Sequence, residues 1–569
     1  MLDKFKFKIW YKLNGQNLSS EKTDCEHYEM KWNYTNNNRL TLSILPKTPI
    51  ELIRTSLVYD YKYKDSSKVF VNGYQSWSTS REYRKGDMQK GLMGLAKYSP
   101  IKKIAALFGD YTFVEYPKRA GVFHSFTYGY VKNGDELYFI GSLTERQGFT
   151  IIWYDMNENT LSIDKDVEGV IIENEYALYD IYTAEGGYNE VFDKYFIAMN
   201  IKKPKKKFMC GYTSWYNYFG KITEKIILRD LEGMSSLGDK ADIFQIDDGY
   251  QSAVGDWTIV DKEKFPSGMK YIADKIHSNG YLAGIWLAPF NAQRTSKVAN
   301  EHVDWLVKDK SGKPALGNFG WGGAYIIDFY NKEAAEYIKS FFHTVVREWG
   351  YDMVKLDFLY SECLHPRYNK SRGQIMCEAM DFLRECVGED KFILGCGVPL
   401  GPCFGVVDFC RISCDVDLSF MDKFYIKHAN QEIVRTRMAI NNTIFRRHLN
   451  GRAFVNDPDV FFLRENDLTD KDPLFLKRGR LKFTWEQKKL LAKINNMCGS
   501  VLFVSDNIGD FEKEQLDVLK DAFKPTKLQV LDAEYVSEDD IVITYMDNKE
   551  MYRLEFNIKD GKSKTVKVK

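Results

Sequence analysis

The chain has 569 residues, 80 Lys and Arg against 79 Asp and Glu, a formal net charge of +1, and 44% hydrophobic residues. At about 150 residues per domain, this length predicts roughly two to four domains with ample core. A balanced charge offers no basic face to nucleic acid or an anionic membrane surface, and no run approaches the roughly 18 apolar residues of a membrane span, so neither partner is expected.

The N-terminal MLDKFKFKIWYKL alternates charged and apolar residues, which is a strand pattern rather than the apolar core of a signal peptide. Ten cysteines are scattered without metal-like pairing. Reduced thiols in the cytoplasm are therefore the expectation.

Up to about residue 201 the chain reads as all-β. Runs rich in Tyr, Phe, Val and Ile alternate with Gly, Asn and Asp turns: 40–44, 57–63, 69–71, 121–130, 136–141, 150–154 and 161–163. Such spacing predicts a sandwich of antiparallel strands. The basic run Lys202-Lys203-Pro204-Lys205-Lys206-Lys207 reads as a solvated linker.

Beyond it, short apolar runs alternate with amphipathic helical stretches. The runs are 208–212, 242–246, 281–287, 353–356, 392–395, 409–412, 453–455 and 501–504, and the helices include 224–237, 269–279 and 333–349. Eight strand–helix repeats predict a (β/α)₈ barrel over 202–524, with a doubly wound open sheet as the structural alternative. A further run at 325–329 reads as a short segment before a helix. From 525 to 569 strand-like alternation returns at 528–531, 541–545 and 552–556, predicting a small closing β domain. The fold class is thus multidomain α/β: a central (β/α)₈ barrel, an N-terminal β-sandwich and a C-terminal β domain.

In such a barrel, chemistry sits at the C-terminal ends of the strands. Asp247 and Asp248 follow the second run, Trp286 lies near the end of the third, and Asp357 follows the fourth. Cys396 follows the fifth, Arg411 lies near the end of the sixth, and Asp415 follows it. Any one acid here is also what a helix N-cap would place there; several on different strands are harder to explain so. Lys355 and Asp357, two apart on one strand, point the same way, and an ammonium there keeps a carboxylate ionised, as a nucleophile requires. Glycoside hydrolysis needs a second, protonated carboxyl. Asp415 follows a partly apolar run that would help it hold a proton, while nearby Arg411 opposes that.

As a set, these segments resemble the family-36 glycoside hydrolases, the melibiase type of α-galactosidase. The motifs are Val71–Trp77 (VNGYQSW), Gly211–Phe219 (GYTSWYNYF), Phe244–Tyr250 (FQIDDGY), Gly284–Phe290 (GIWLAPF), Val354–Phe358 (VKLDF), Ile393–Leu400 (ILGCGVPL) and Arg411–Asp415 (RISCD), in the family's order. The eight His show no His-x-x-x-His or Glu-x-x-His pairing on a helix, and no Gly-rich phosphate loop of the P-loop or dinucleotide type appears, so neither a metal nor a cofactor is expected. The resemblance implies a retaining exo-α-galactosidase. Asp357 would be the nucleophile and Asp415 the acid/base. Asp247 and Asp248 would hold the 4- and 6-hydroxyls of galactose, and Lys355 and Arg411 would face the ring hydroxyls. Trp215, Tyr216 and Trp286 would form an aromatic wall, Cys396 would lie at the 2-hydroxyl, and Trp77 would reach in from the N-terminal domain. Relatives often form homo-oligomers. The chain departs from the pattern at Asn217, where several relatives carry His, at Asp417, and in the Gly-rich stretch 318–323. These departures bear on the preferred substrate, with α-N-acetylgalactosaminidase as the nearest alternative and a non-catalytic galactoside binder as a rival of another class.

Overall fold

The computed structural model describes residues 4–36, 38–465 and 481–568. Two compact units emerge. The first comprises the stretch up to Lys202 with Glu362–Phe382 and Pro399–Val406; the second comprises Lys203–Ser361, Leu383–Val398 and Val407–Lys569.

The first unit is built on two antiparallel sheets of six and seven strands. Alternation explains its core: Lys6–Leu13 buries Phe7, Ile9 and Tyr11, and Arg39–Pro46 buries Leu40, Leu42 and Ile44, while intervening residues face outward. These side chains meet Leu57, Tyr59, Ile152, Ile163 and Ile181 in one cluster. The run expected as one strand over 121–130 is two, Val122–Phe126 and Tyr128–Asn133, because Thr127 between them takes a φ of 67°. Within this unit Arg372 makes a two-point ion pair with Asp166 at 2.7 and 2.8 Å and reaches Glu168 at 2.9 Å.

The second unit holds an eight-stranded parallel sheet, and the (β/α)₈ expectation is borne out. Its strands are β1 (Met209–Thr213), β2 (Ile243–Ile246), β3 (Leu282–Leu287), β4 (Met353–Leu356), β5 (Phe392–Gly395), β6 (Phe409–Arg411), β7 (Val455–Asp457) and β8 (Val501–Val504). They pair in barrel order, with β8 beside β1. Between β7 and β8, Ser500 N–H donates to the Asn456 carbonyl at 3.1 Å and Phe461 bridges Val504, which nearly closes the ring. Most barrel strands are buried along their whole length, the continuous apolar run expected where both faces of a parallel sheet are covered.

Helix ends follow local chemistry. Lys332–His343 starts where the Asn331 side chain accepts from the Glu333 and Ala334 amides, and Trp485–Cys498 starts at a reciprocal Thr484–Gln487 capping box. The helix expected over 333–349 ends at His343 and continues as one π turn, Thr344–Glu348. The run near 325 forms Ala324–Ile326, the middle strand of a small three-stranded antiparallel sheet outside the barrel. β7 sits two residues later than the expected 453–455, which changes which acids the barrel mouth receives. The same unit ends in a four-stranded antiparallel sheet, Gln529–Tyr535, Asp540–Asp547, Glu550–Asn557 and Ser563–Lys567. Among the described residues no helix is long and apolar enough to cross a membrane.

Candidate active site

The strand ends converge as a barrel dictates. Asp247 and Asp248 leave β2, Trp286 lies in β3, Lys355 in β4 with Asp357 one residue past it, Cys396 follows β5, and Arg411 closes β6. Asp247, Asp357, Lys355, Trp286, Cys396 and Arg411 are all buried.

Asp357 is held from two sides. Trp286 Nε1 donates to its Oδ2 at 3.1 Å, and the Phe358 amide donates to its Oδ1 at 2.8 Å. Phe358 adopts a left-handed φ of 55°, costly for a residue with a side chain, and Ser361 Oγ bonds its carbonyl at 2.8 Å. Burial pushes the Asp357 carboxyl above its ordinary range; Lys355 pulls it down and Asp415 pushes it up again, while Trp286 and Cys396 stabilise the anion by hydrogen bonding. The expected lysine–carboxylate relation is present, but desolvation outweighs it.

Lys355 does more than flank Asp357. Its Nζ donates to Asp247 Oδ2 at 2.8 Å. Burial alone would lower its basicity, and the charges of Asp247 and Asp357 overcome that and keep it an ammonium. Asp247 also accepts from Gln245 Nε2 at 2.9 Å and from the Asp248 amide at 2.9 Å. Asp248 accepts from Gln251 at 2.6 Å and from Trp321 Nε1 at 2.8 Å, and burial raises its carboxyl. Gly249 permits this turn: at a φ of 124° its missing Cβ would lie 2.8 Å from the Gly220 backbone.

Asp415 and Arg411 belong to a second cluster. The Arg411 guanidinium bonds Asp415 at 3.0 Å, Asp459 at 2.9 Å and Asp457 at 3.3 Å. Asp459 in turn accepts from the Tyr216 hydroxyl and from the Val416 amide at 2.8 Å, one residue past Asp415. The Asp415 side chain is 32% exposed, whereas those of Arg411, Asp457 and Asp459 are 2% or less. The two clusters meet: Asp357 feels the charge of Asp415, and the Cys396 thiol, raised mainly by burial, feels Asp357, Arg411, Lys355 and Asp415 together.

Trp215 is half-buried and edge-on to Phe219 at 5.2 Å. Trp77 lies in the first unit, buried, with its amide bonded to Gln75 Oε1 at 3.0 Å. Asn217 is buried and its Oδ1 has no hydrogen-bond partner. Four residues at this site were not singled out from sequence: Trp321, Gln251, Asp457 and Asp459. For the last two the signal was Asn456-Asp457-Pro458-Asp459 directly after an apolar run. Trp321 stands in the Gly-rich stretch, with a left-handed φ of 55° and ring centroids 5.0 Å from Phe358 and 5.9 Å from Trp286.

Two buried ion-pair clusters that meet at the C-terminal mouth of a (β/α)₈ barrel define a barrel with an acid-lined polar site. Within that class, residues 216–379 match the family model described as Melibiase, and the resemblance to family-36 glycoside hydrolases is borne out. An A type blood alpha-D-galactosamine galactosaminidase of Flavonifractor plautii is 27% identical over 205 residues, 33% of this chain and 18% of that protein. An alpha-galactosidase of Escherichia coli is 25% identical over 190 residues, 32% of this chain and 26% of that protein. The matched stretches thus span well under a third of these relatives. By structure, the alpha-galactosidase TtGalA from Thermus thermophilus, solved in complex with p-nitrophenyl alpha-D-galactopyranoside, gives a TM-score of 0.68 at 22% identity, covering 92% of this chain and 98% of that one. The family-36 alpha-galactosidase AgaA from Geobacillus stearothermophilus gives 0.61 at 12% identity, covering 97% of this chain and 81% of that one. At these identities the likeness is one of fold.

Proposed function

We propose that the chain is a retaining exo-α-galactosidase that hydrolyses terminal α-galactosidic linkages in oligosaccharides such as melibiose or raffinose. The observation that carries the reading is the meeting of Asp357 and Asp415 around one site in unlike settings. Asp357 is buried and held by two donors, while Asp415 is partly exposed and tied to a shared guanidinium. Unlike environments are what separate a nucleophile from an acid.

Asp357 attacks the anomeric carbon as Asp415 protonates the departing oxygen, giving a β-galactosyl ester. Asp415 then deprotonates water, which releases α-galactose. Electrostatic steps of this kind gain strength where water is excluded, as around Asp357 and Lys355. Asp247 and Asp248 are anionic acceptors for sugar hydroxyls, the charge-assisted bonds by which a site reads an axial hydroxyl. Lys355 and Arg411 face the ring, and Trp286, Tyr216 and Trp215 supply aromatic surface. Cys396 lies beside the 2-position. In this reading residues 202–524 carry the chemistry, with 1–201 and 525–569 as flanking domains. Ten free cysteines fit a reducing, cytoplasmic setting.

A second reading, α-N-acetylgalactosaminidase, is favoured by the relative from Flavonifractor plautii, whose name is that of a galactosaminidase. The deciding experiment offers a panel of α-linked galactosides and their N-acetyl analogues and reads the first product by NMR. Release of α-galactose supports the proposal; release of β-galactose, or preference for the N-acetyl substrates, overturns it.

A further inference from the structure

Arg411 presents one positive charge to three carboxylates, and its own sequence neighbourhood does not explain how Asp415, four residues on, acts as an acid beside it. The geometry of the other two carboxylates does. Asp457 ends β7 and Asp459 follows it, both fully buried, and both bond the guanidinium. Asp459 is placed at some cost: its φ is 79°, left-handed for a residue with a side chain, so the surroundings impose that conformation. Its four ligands are the Arg411 guanidinium, the Tyr216 hydroxyl and the amides of Val416 and Val460, the last at 2.7 Å.

Resting on the assignment of Asp415 as acid/base, we infer that Asp459 is a positioning residue that offsets the charge of Arg411 and so keeps the catalytic proton on Asp415. With all three carboxylates ionised the cluster carries a net charge of about −2, an arrangement that favours retaining one proton within it. Of its members only Asp415 opens toward solvent, where a departing oxygen can meet it. The groups facing Asp415 are Arg411, Asp459, Asp357, Tyr216, Cys396 and Cys414. Arg411 is the cation in direct contact with it; the Asp357 and Asp459 charges oppose ionisation. Burial and then the charges of Asp415 and Asp457 raise the Asp459 carboxyl, against the pull of Arg411 and the Tyr216 hydrogen bond, so these acids titrate as one coupled cluster. During glycosylation the proton leaves Asp415 for the departing oxygen as the C–O bond breaks and the Asp357 ester forms; Arg411 then stabilises the Asp415 anion.

The test is the pH profile of kcat/KM for Asp459→Asn on two substrates. Methyl α-galactoside has a leaving group that needs the proton, while nitrophenyl α-galactoside has one that hardly does. Removing the negative charge leaves Arg411 to favour the Asp415 anion, so activity on the methyl glycoside is lost at lower pH. The basic limb is expected to move down by about one pH unit, and the nitrophenyl-to-methyl ratio at pH above it to rise by about tenfold. A limb that moves down by less than about half a unit, or moves up, overturns the inference, as does an equal loss on both substrates, which is what a purely structural role gives. Should the Asn variant not fold, Tyr216→Phe, which removes a hydrogen bond that favours the Asp459 anion, is expected to move the same limb in the same direction, and an unmoved limb there is the overturning result. If the wild-type protein hydrolyses neither galactoside, the α-galactosidase reading itself fails, an outcome separate from an unshifted profile in an active enzyme.

Discussion

Lys355 and Asp247 come from neighbouring regions of the barrel mouth, 108 residues apart in the chain, and are joined at 2.8 Å. One ammonium thus serves two acids, Asp247 by a direct hydrogen bond and Asp357 by its field. Lys355→Met removes both services. Its loss leaves Asp357 with burial and Asp415 pushing its carboxyl up and without the cation that opposes them most. The nucleophile must be ionised, so the acidic limb of kcat/KM is expected to move to higher pH. The rate should fall by at least about 100-fold, the loss of roughly 2.7 kcal/mol that follows from stranding a buried partner. An unshifted acidic limb in an active Lys355→Met variant would contradict this pairing.

The two acids should separate in rescue experiments. Asp357→Ala is expected to lose hydrolysis altogether while keeping its fold by circular dichroism. Asp415→Ala should retain turnover of a nitrophenyl substrate, whose leaving group does not need protonation. Added azide should then attack the covalent intermediate and yield α-galactosyl azide, identified by NMR. Formation of the β-azide by Asp415→Ala would exchange the two roles. The separation of the two carboxyls in a ligand-bound crystal structure is expected at about 5–5.5 Å.

Trp321 gives a test of how the sugar is read. Its indole N–H is one of two side-chain donors fixing the Asp248 carboxylate, the other being Gln251. Asn318 holds the loop by accepting from the Gly320 amide and donating to Asn291, both at 2.8 Å. Trp321→Phe keeps the ring contacts and removes only the donor. KM for nitrophenyl α-galactoside is expected to rise by about tenfold, the ~1.4 kcal/mol of one hydrogen bond to a charged group, with kcat changed less than about twofold. A change confined to kcat would detach Trp321 from substrate binding.

The barrel was legible because its strands are short apolar runs closed by polar strand ends, and β4, β5 and β8 fall within the residues read from the sequence alone. Asp247 and Asp357 were legible because each directly follows such a run, and Lys355 because alternation puts it on the same face as Asp357. Asp457 and Asp459 were not, because apolarity ends with Ala453-Phe454-Val455 whereas β7 runs from Val455 through the polar Asn456 and Asp457. Polar residues inside a barrel strand are paid for by ion pairs that only the fold reveals, here with Arg411, 46 residues earlier. Trp321 escaped for a different reason. A Gly-rich loop carries no periodicity, and the left-handed conformation that aims the indole at Asp248 is set by tertiary contacts. The role expected for Lys355 was also incomplete, since strand alternation places it beside Asp357 but says nothing of Asp247, which follows β2, two strands away across β3.

Stability should carry its own pH signature, through His448. This side chain is fully buried between β6 and β7 in sequence, and its protonation is suppressed chiefly by burial and further by the charges of Arg447, Arg452 and Arg446. In the folded protein it stays neutral, while in the unfolded chain it titrates near its ordinary value of 6.5. Below that pH the unfolded state binds a proton that the folded state refuses, so stability falls as the pH drops from 6.5 toward the folded value and is unaffected above it. The slope from one such group approaches about 1.4 kcal/mol per pH unit. Carboxylates elsewhere also titrate in acid, so the measurement is a difference: urea unfolding of the wild type and of His448→Gln at a series of pH values from 8 to about 5. The Gln variant, starting from a lower stability, should lose less on acidification, and the two curves should converge below pH 6.5. Parallel curves over that interval would mean that His448 gains its proton equally well in both states and would refute the buried neutral imidazole.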